Sequence, residues 1–174
     1  MTTPNANQVN DPQPGVYRID PDASTIRFET RAMFGMTAVR GTFAVDRGQI
    51  TVDPDATRSS VDAVILTQSF DSGDKKRDEH ICSPAFLDAK THPEIVFHSD
   101  SASRSAGAAA VNGSLTVHGQ TQPTVLTLTS VATDGDRLTA TATAVIDRYT
   151  FGVTKSKGLA GRRLTINLDV VAVR

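Results

Sequence analysis

The chain has 174 residues, enough for one domain with a core of its own and no need of disulfide staples. Its 18 basic and 19 acidic residues leave a net charge of −1, so the composition as a whole offers no attraction to nucleic acid or to an anionic membrane surface. A single cysteine excludes an internal disulfide and leaves a reducing compartment slightly favoured, and 5% aromatic residues without tryptophan supply little for base stacking.

Residues 1–14, MTTPNANQVNDPQP, have no basic segment followed by an apolar run, which excludes a secretory signal peptide in this sequence. Three prolines and few apolar side chains predict a disordered tail there, with the folded domain over 15–174. No run reaches the length of a transmembrane helix, so the expectation is a soluble, cytoplasmic protein without stable membrane insertion.

From Gly15 the pattern is that of strands. GVYRID at 15–20 reads as a first strand, ended by Asp20-Pro21-Asp22. Ser24–Ala32 alternates, with Ile26, Phe28, Thr30 and Ala32 on one face and charged residues on the other. Met33-Phe34-Gly35-Met36 is an apolar corner, read as a bend. A third strand covers Ala38–Val45 and resumes at Ile50–Val52 after a bulge or turn at 46–48, and a fourth covers Ser59–Ser69.

The alternation then breaks. Gly73–Ile81 predicts about two helical turns, and Ser83-Pro84 predicts the start of a second short helix, with serine as cap and proline at the first helical position. Together they form a helical crossover at about 73–90. Strands resume at Glu94–Ser99, Ala109–Val117, Thr124–Thr133 after a Gly119–Pro123 turn, Arg137–Asp147 and Leu164–Val173. Eight or so strands joined mostly by short turns predict an all-β fold, either an antiparallel up-and-down barrel or a sandwich. The small inward residues Gly41, Ala63, Gly113, Ala140, Ala142 and Ala144 favour a barrel with an open lumen, the competing reading being close packing under phenylalanines.

Several blocks, in this order, resemble the YceI-like family of polyisoprenoid-binding, lipocalin-like barrel proteins. They are Tyr17-Arg18-Ile19-Asp20 with Ser24, Ile26 and Phe28; Val39-Arg40-Gly41-Thr42-Phe43; Arg77-Asp78-Glu79-His80-Ile81 with Ser83, Phe86 and Asp88; Pro93-Glu94-Ile95-Val96-Phe97; Gly113-Ser114-Leu115-Thr116 with Gly119 and Thr121; and Asp147-Arg148 with Phe151-Gly152. The resemblance covers about residues 15–174. It implies an extended antiparallel barrel whose apolar tunnel holds a long-chain isoprenoid or similar lipid, with no metal or redox cofactor, and often a homodimer. Tyr17 fits the family pattern, whereas Ala32 stands where relatives commonly carry histidine, so any role of that histidine is absent.

The in-phase wall candidates are Ile26, Phe28, Phe43, Ile65, Phe97, Leu115, Leu138, Ala140, Ala142, Ile166 and Leu168, with Phe86 and Leu87 of the crossover facing the same apolar space. For each of them ordinary core packing is the competing reading. At roughly 0.8 kcal/mol per buried methylene, a chain of about twenty carbons gains on the order of 16 kcal/mol before ordering and association costs.

Three polar groupings compete for other chemistry. Arg77, Asp78 and His80 could do acid–base work on such a lipid, and the plainer reading is a salt bridge fixing the crossover to the barrel end. His80-Ile81-Cys82 with His92 lacks the rhythm of a zinc site, so no metal is expected. Lys155, Lys157, Arg162 and Arg163 surround two glycines, as an anion-binding loop for a lipid head group would, with a solvated loop as the alternative. A lipid carrier or store is the leading reading, ahead of an enzyme using the 77–80 cluster and of a stress-related interaction protein with an incidental cavity.

Overall fold

The computed structural model describes residues 11–105 and 108–174. Among the described residues ten strands follow one another: β1 Gly15–Ile19, β2 Thr25–Ala32, β3 Thr37–Phe43, β4 Val45–Val52, β5 Ser60–Leu66, β6 Glu94–Ser105, β7 Ala108–Val117, β8 Gln120–Asp134, β9 Arg137–Asp147 and β10 Arg163–Val173. All pairings are antiparallel, in the order β1-β4-β5-β6-β7-β8-β9-β10-β2-β3, and β10 also pairs with β1. Arg18 faces Val173 and Ile19 faces Ala172, which closes a ring of eight strands and leaves that ring without an edge. Of the two expected architectures the barrel is the one formed.

β1 and β2 are two halves of one interrupted strand lying along β10. Asp20-Pro21-Asp22 breaks it, and Ser24 patches the ladder there. Its hydroxyl accepts from the Val171 amide (3.0 Å) and donates to the Val171 carbonyl (3.3 Å). β3 and β4 are likewise one strand bent at Ala44, with a register shift between Val45 and Arg47 at the expected bulge. β4 stays in the ring, while β3 follows β2 away from it and ends the sheet.

The crossover attaches to that departing strand. Asp71 and Thr42 exchange backbone bonds of 2.8 and 3.0 Å, and the Ser69 hydroxyl accepts from the Ala44 amide at 2.8 Å. The helix α1 spans Lys75–Cys82, capped by Asp74, whose carboxylate accepts from the amides of Lys76 and Arg77.

The expected second helix at Ser83 does not form. Ser83 instead ends α1, in extended conformation as a residue before proline favours, and its amide bonds the His80 carbonyl. The amides of Leu87 and Ala89 turn back onto the carbonyls of Ile81 and Cys82, and Asp88 takes φ 49°, so 83–92 is a chain of turns. The expected Gly119–Pro123 turn contracts to two residues, His118 (φ 54°) and Gly119 (φ 72°), a pair of left-handed conformations that suits the twist of a tight hairpin and leaves Pro123 inside β8 opposite Ser114.

Most of the expected disordered tail lies outside the described residues. Its last residues touch the barrel: Asp11 pairs with Arg104, the Gln13 amide bonds Thr133, and the Pro14 carbonyl accepts from Arg174. Tyr17, fully buried, donates from its hydroxyl to the Gln13 carbonyl at 2.8 Å.

Candidate functional site

The inward faces of the ring enclose an elongated apolar cavity, of which about 250 Å³ is open to the centre of a water molecule. One ordered water needs roughly 10–15 Å³ on that measure, so the space is some twenty times what one water needs. Of the 28 residues on its wall only Thr124 and Arg148 are polar, and water entering it would find few partners. A second apolar space, about 140 Å³, shares Ile50, Val61, Val111, Leu128 and Ala140 with the first. The two spaces adjoin through these shared residues, and together they are the candidate tunnel. One end is bounded by Asp11, Pro12, Ala56 and Arg104, the other by Leu87, Arg148, Phe151 and Val153.

Nine expected wall residues are on this surface: Ile26, Phe43, Ile65, Phe97, Leu115, Ala140, Ala142, Ile166 and Leu168. Leu87 reaches it from the crossover. Three others are placed differently. Leu138 lines the adjoining space. Phe28 stacks on Phe70 at 4.9 Å between centroids, and both rings contact Phe43, forming an aromatic wedge where β3 leaves the ring. Phe86 lies under the His80 ring (5.0 Å) and the Arg148 guanidinium (5.8 Å), behind the wall rather than on it.

The small residues divide in the same way. Ala63, Ala140, Ala142 and Ala144 face the lumen and keep it open. Gly41 and Gly113 do not enlarge it, because a Cβ on Gly41 would stand 2.5 Å from the Phe28 ring and one on Gly113 2.6 Å from the Phe97 ring. Close packing under phenylalanine explains the glycines, and an open lumen explains the alanines.

Arg148 is the charged wall residue that sequence reasoning missed, alongside Thr124 and apolar positions such as Val45, Ile50, Ile95 and Val111. It follows β9, is 8% exposed, and is the one cation among the described residues lining the larger cavity. Its guanidinium donates to three carbonyls of the following loop: Nε to Gly161 (2.7 Å), Nη1 to Val153 (2.8 Å) and Nη2 to Ala160 (3.1 Å). Burial pushes its pKa down, opposed by Tyr149 and Asp147. A lone arginine in a β pattern reads as a surface residue. The only signal for it in the sequence was its place in the Asp147-Arg148 block.

Its neighbour Asp147 accepts from the Tyr149 amide (3.0 Å) and is gripped by Arg162, whose Nε lies 3.1 Å from both carboxylate oxygens. The Arg162 bond and charge hold the Asp147 carboxyl below its ordinary range. Arg162 and Lys157 also lie over the Tyr149 ring, at 4.6 and 5.3 Å. Lys155 is exposed, and Arg163 is exposed at the first position of β10. None of these four cations is on the tunnel wall.

The 77–80 cluster is also local. Arg77 donates to the Ser72 hydroxyl (2.8 Å) and carbonyl (3.2 Å), and Asp78 accepts from the Ser72 amide (2.9 Å) and hydroxyl. The expected salt bridge to the barrel end is thus replaced by a clasp in which both residues hold Ser72. His80 is exposed at its edge contact with Phe86, while His92 faces His118 at 4.9 Å. Cys82 is buried against the Thr67 carbonyl, and burial and Asp78 push its thiol pKa up.

The YceI-like domain profile matches residues 17–172. A UPF0312 protein of Pseudomonas putida strain GB-1 is 33% identical over 169 residues, covering 91% of this chain and 86% of that one. Among solved structures, BcnA of Burkholderia cenocepacia superposes with a TM-score of 0.78 at 25% identity, over 89% of this chain and 99% of that one. A polyisoprenoid binding domain from Saccharophagus degradans superposes with a TM-score of 0.70 at 13% identity, over 90% and 97% of the two chains.

Proposed function

The chain belongs to the YceI-like family, and from that premise we propose that it binds an isoprenoid or isoprenoid-tailed lipid in its barrel tunnel, for transport, storage or sequestration. The observation that carries this reading is the wall of the larger cavity, apolar throughout except at Thr124 and Arg148. Such a surface rewards length and apolarity, at roughly 0.8 kcal/mol per buried methylene, and offers little to a compact polar metabolite. The row Ala63, Ala140, Ala142 and Ala144 supports it further, since larger residues there would complete a core instead of leaving a lumen. The domain from Saccharophagus degradans is described as polyisoprenoid binding, and the shared barrel supplies the same kind of enclosure.

The acid–base alternative loses its geometric support, because Arg77 and Asp78 are engaged with Ser72 and the imidazole of His80 is exposed. The reading as a binding protein is tested by organic extraction of the purified protein followed by mass spectrometry, together with titration by a polyprenol. Co-purification of a prenyl lipid or saturable polyprenol binding is the expected outcome. Failure of both would overturn the proposal, and turnover of the added lipid, lost on His80→Ala with binding retained, would replace it with the enzyme reading.

A further inference from the structure

The β2–β3 hairpin ends in a tip that a soluble barrel has no internal reason to keep. Met33, Phe34 and Met36 are 52%, 78% and 83% exposed, and Leu159 of the facing loop is 50% exposed. The remaining large exposed apolar residues are mostly valines on outer strand faces, whereas these four come together. The Met33 and Phe34 amides bond the carbonyls of Leu159 (2.8 Å) and Gly158 (2.6 Å), and the Phe34 ring sits where a side chain on Gly158 would be. Met33 and Phe34 hold left-handed φ values of 52° and 57°, a costly conformation for bulky residues. The backbone is thus strained to present apolar side chains outward.

Cations surround this tip. Residues 30–40 and 148–163 contain Arg31, Arg40, Arg148, Lys155, Lys157, Arg162 and Arg163 and no aspartate or glutamate, in a chain of net charge −1. Arg40 and Arg162 are paired with Glu29 and Asp147. Arg31, Lys155, Lys157 and Arg163 are exposed and, among the described residues, have no carboxylate within ion-pair distance. The tip and loop 153–161 stand at the end of the tunnel bounded by Phe151 and Val153.

From this arrangement we propose that the 33–36 tip and the 155–163 loop form a docking surface for an anionic lipid bilayer. Phe34, Met36 and Leu159 enter the headgroup region and the exposed cations meet its phosphates. The protein docks peripherally and transiently, with the tunnel end toward the membrane. The charge complementarity selects a bilayer over a second copy of this chain, whose matching surface would carry the same sign.

The test is co-sedimentation of the full chain with vesicles of phosphatidylcholine alone and with 30% phosphatidylglycerol at low salt. Association with the anionic vesicles only is expected, weakening strongly at 0.5 M NaCl as the charges are screened. Phe34→Ser/Met36→Ser should reduce the partition at least tenfold, and Lys155→Gln or Lys157→Gln about fivefold each. These side chains are exposed, so circular dichroism should show the variants folded. Equal partition onto both vesicle types, or no loss in the tip variant, would overturn the proposal. So would a dimer that the tip variant abolishes without any vesicle binding. An Ala142→Phe protein, whose tunnel is blocked, should still bind vesicles, so the docking surface and the lipid tunnel fail separately.

Discussion

At the residue scale, the interior is set by where side chains are missing. Gly41 lies opposite Phe28 in the β2–β3 ladder, and an added Cβ there would stand 2.2 Å from the Asp71 carbonyl. Gly41→Ala must therefore push the crossover off β3, and we expect urea unfolding to show a loss of about 1–3 kcal/mol, the usual cost of overpacking. Charged residues titrate by their partners. The hydrogen bond that His98 donates to Asp62, and the charge of Asp62, raise the pKa of exposed His98, so an NMR titration should find its midpoint above the ordinary value of about 6.5, returning toward it in Asp62→Asn. Asp147 has the opposite sign. Arg162 lowers its folded pKa below the unfolded value of about 3.9, so its contribution is complete above that pH and is lost as pH falls through the lowered value. The stability gap between wild type and Asp147→Asn should stay level from about pH 5 to 7 and shrink below about pH 4. A gap that widened on acidification would contradict the assignment.

At the element scale, two short segments do the work of closing the ring's weak points. The crossover fills the gap left by β3, and its helix of eight residues is too short to stand on propensity alone. Its cap is therefore expected to matter, and Asp74→Ala should cost about 1 kcal/mol in thermal unfolding. Loop 153–161 is held by the Arg148 fork rather than by regular structure. Hydrogen bonds to a charged group contribute about 1.5–3 kcal/mol each, offset where a released carbonyl can reach water. Arg148→Met should accordingly destabilise by about 2–4 kcal/mol and expose residues 154–161 to proteolysis, which limited digestion would reveal. These segments were the least legible in the sequence. Ser83-Pro84 is as good an ending as a beginning, since a serine before proline is pushed to extended backbone, and only the return of Leu87 and Ala89 to α1 decides between them. Strands were easier: Arg137–Asp147 was readable to the residue because leucine, alanine and isoleucine alternate with threonine over its length.

At the scale of the whole molecule, the barrel keeps a lumen because four alanines face it, and that gives a direct way to fill it. Ala142→Phe should preserve the far-ultraviolet circular dichroism and leave unfolding nearly unchanged, while reducing polyprenol affinity at least tenfold. Unchanged affinity would mean that the ligand binds elsewhere. Net charge is similarly a property that the fold redistributes. A balanced composition gave no sign of a membrane surface, yet seven cations share two acid-free segments at one end of the barrel, two of them paired with Glu29 and Asp147 just outside those segments. The sequence alone determined that the chain is all-β and which face of most strands is apolar, because the period-2 alternation is local and each strand carries its own pattern. Ring closure, the burial of Arg148 and the split between alanines that open the lumen and glycines that admit phenylalanine were decided only in three dimensions. Each depends on residues far apart in sequence: Ile19 against Ala172, Arg148 against Gly161, Gly41 under Phe28.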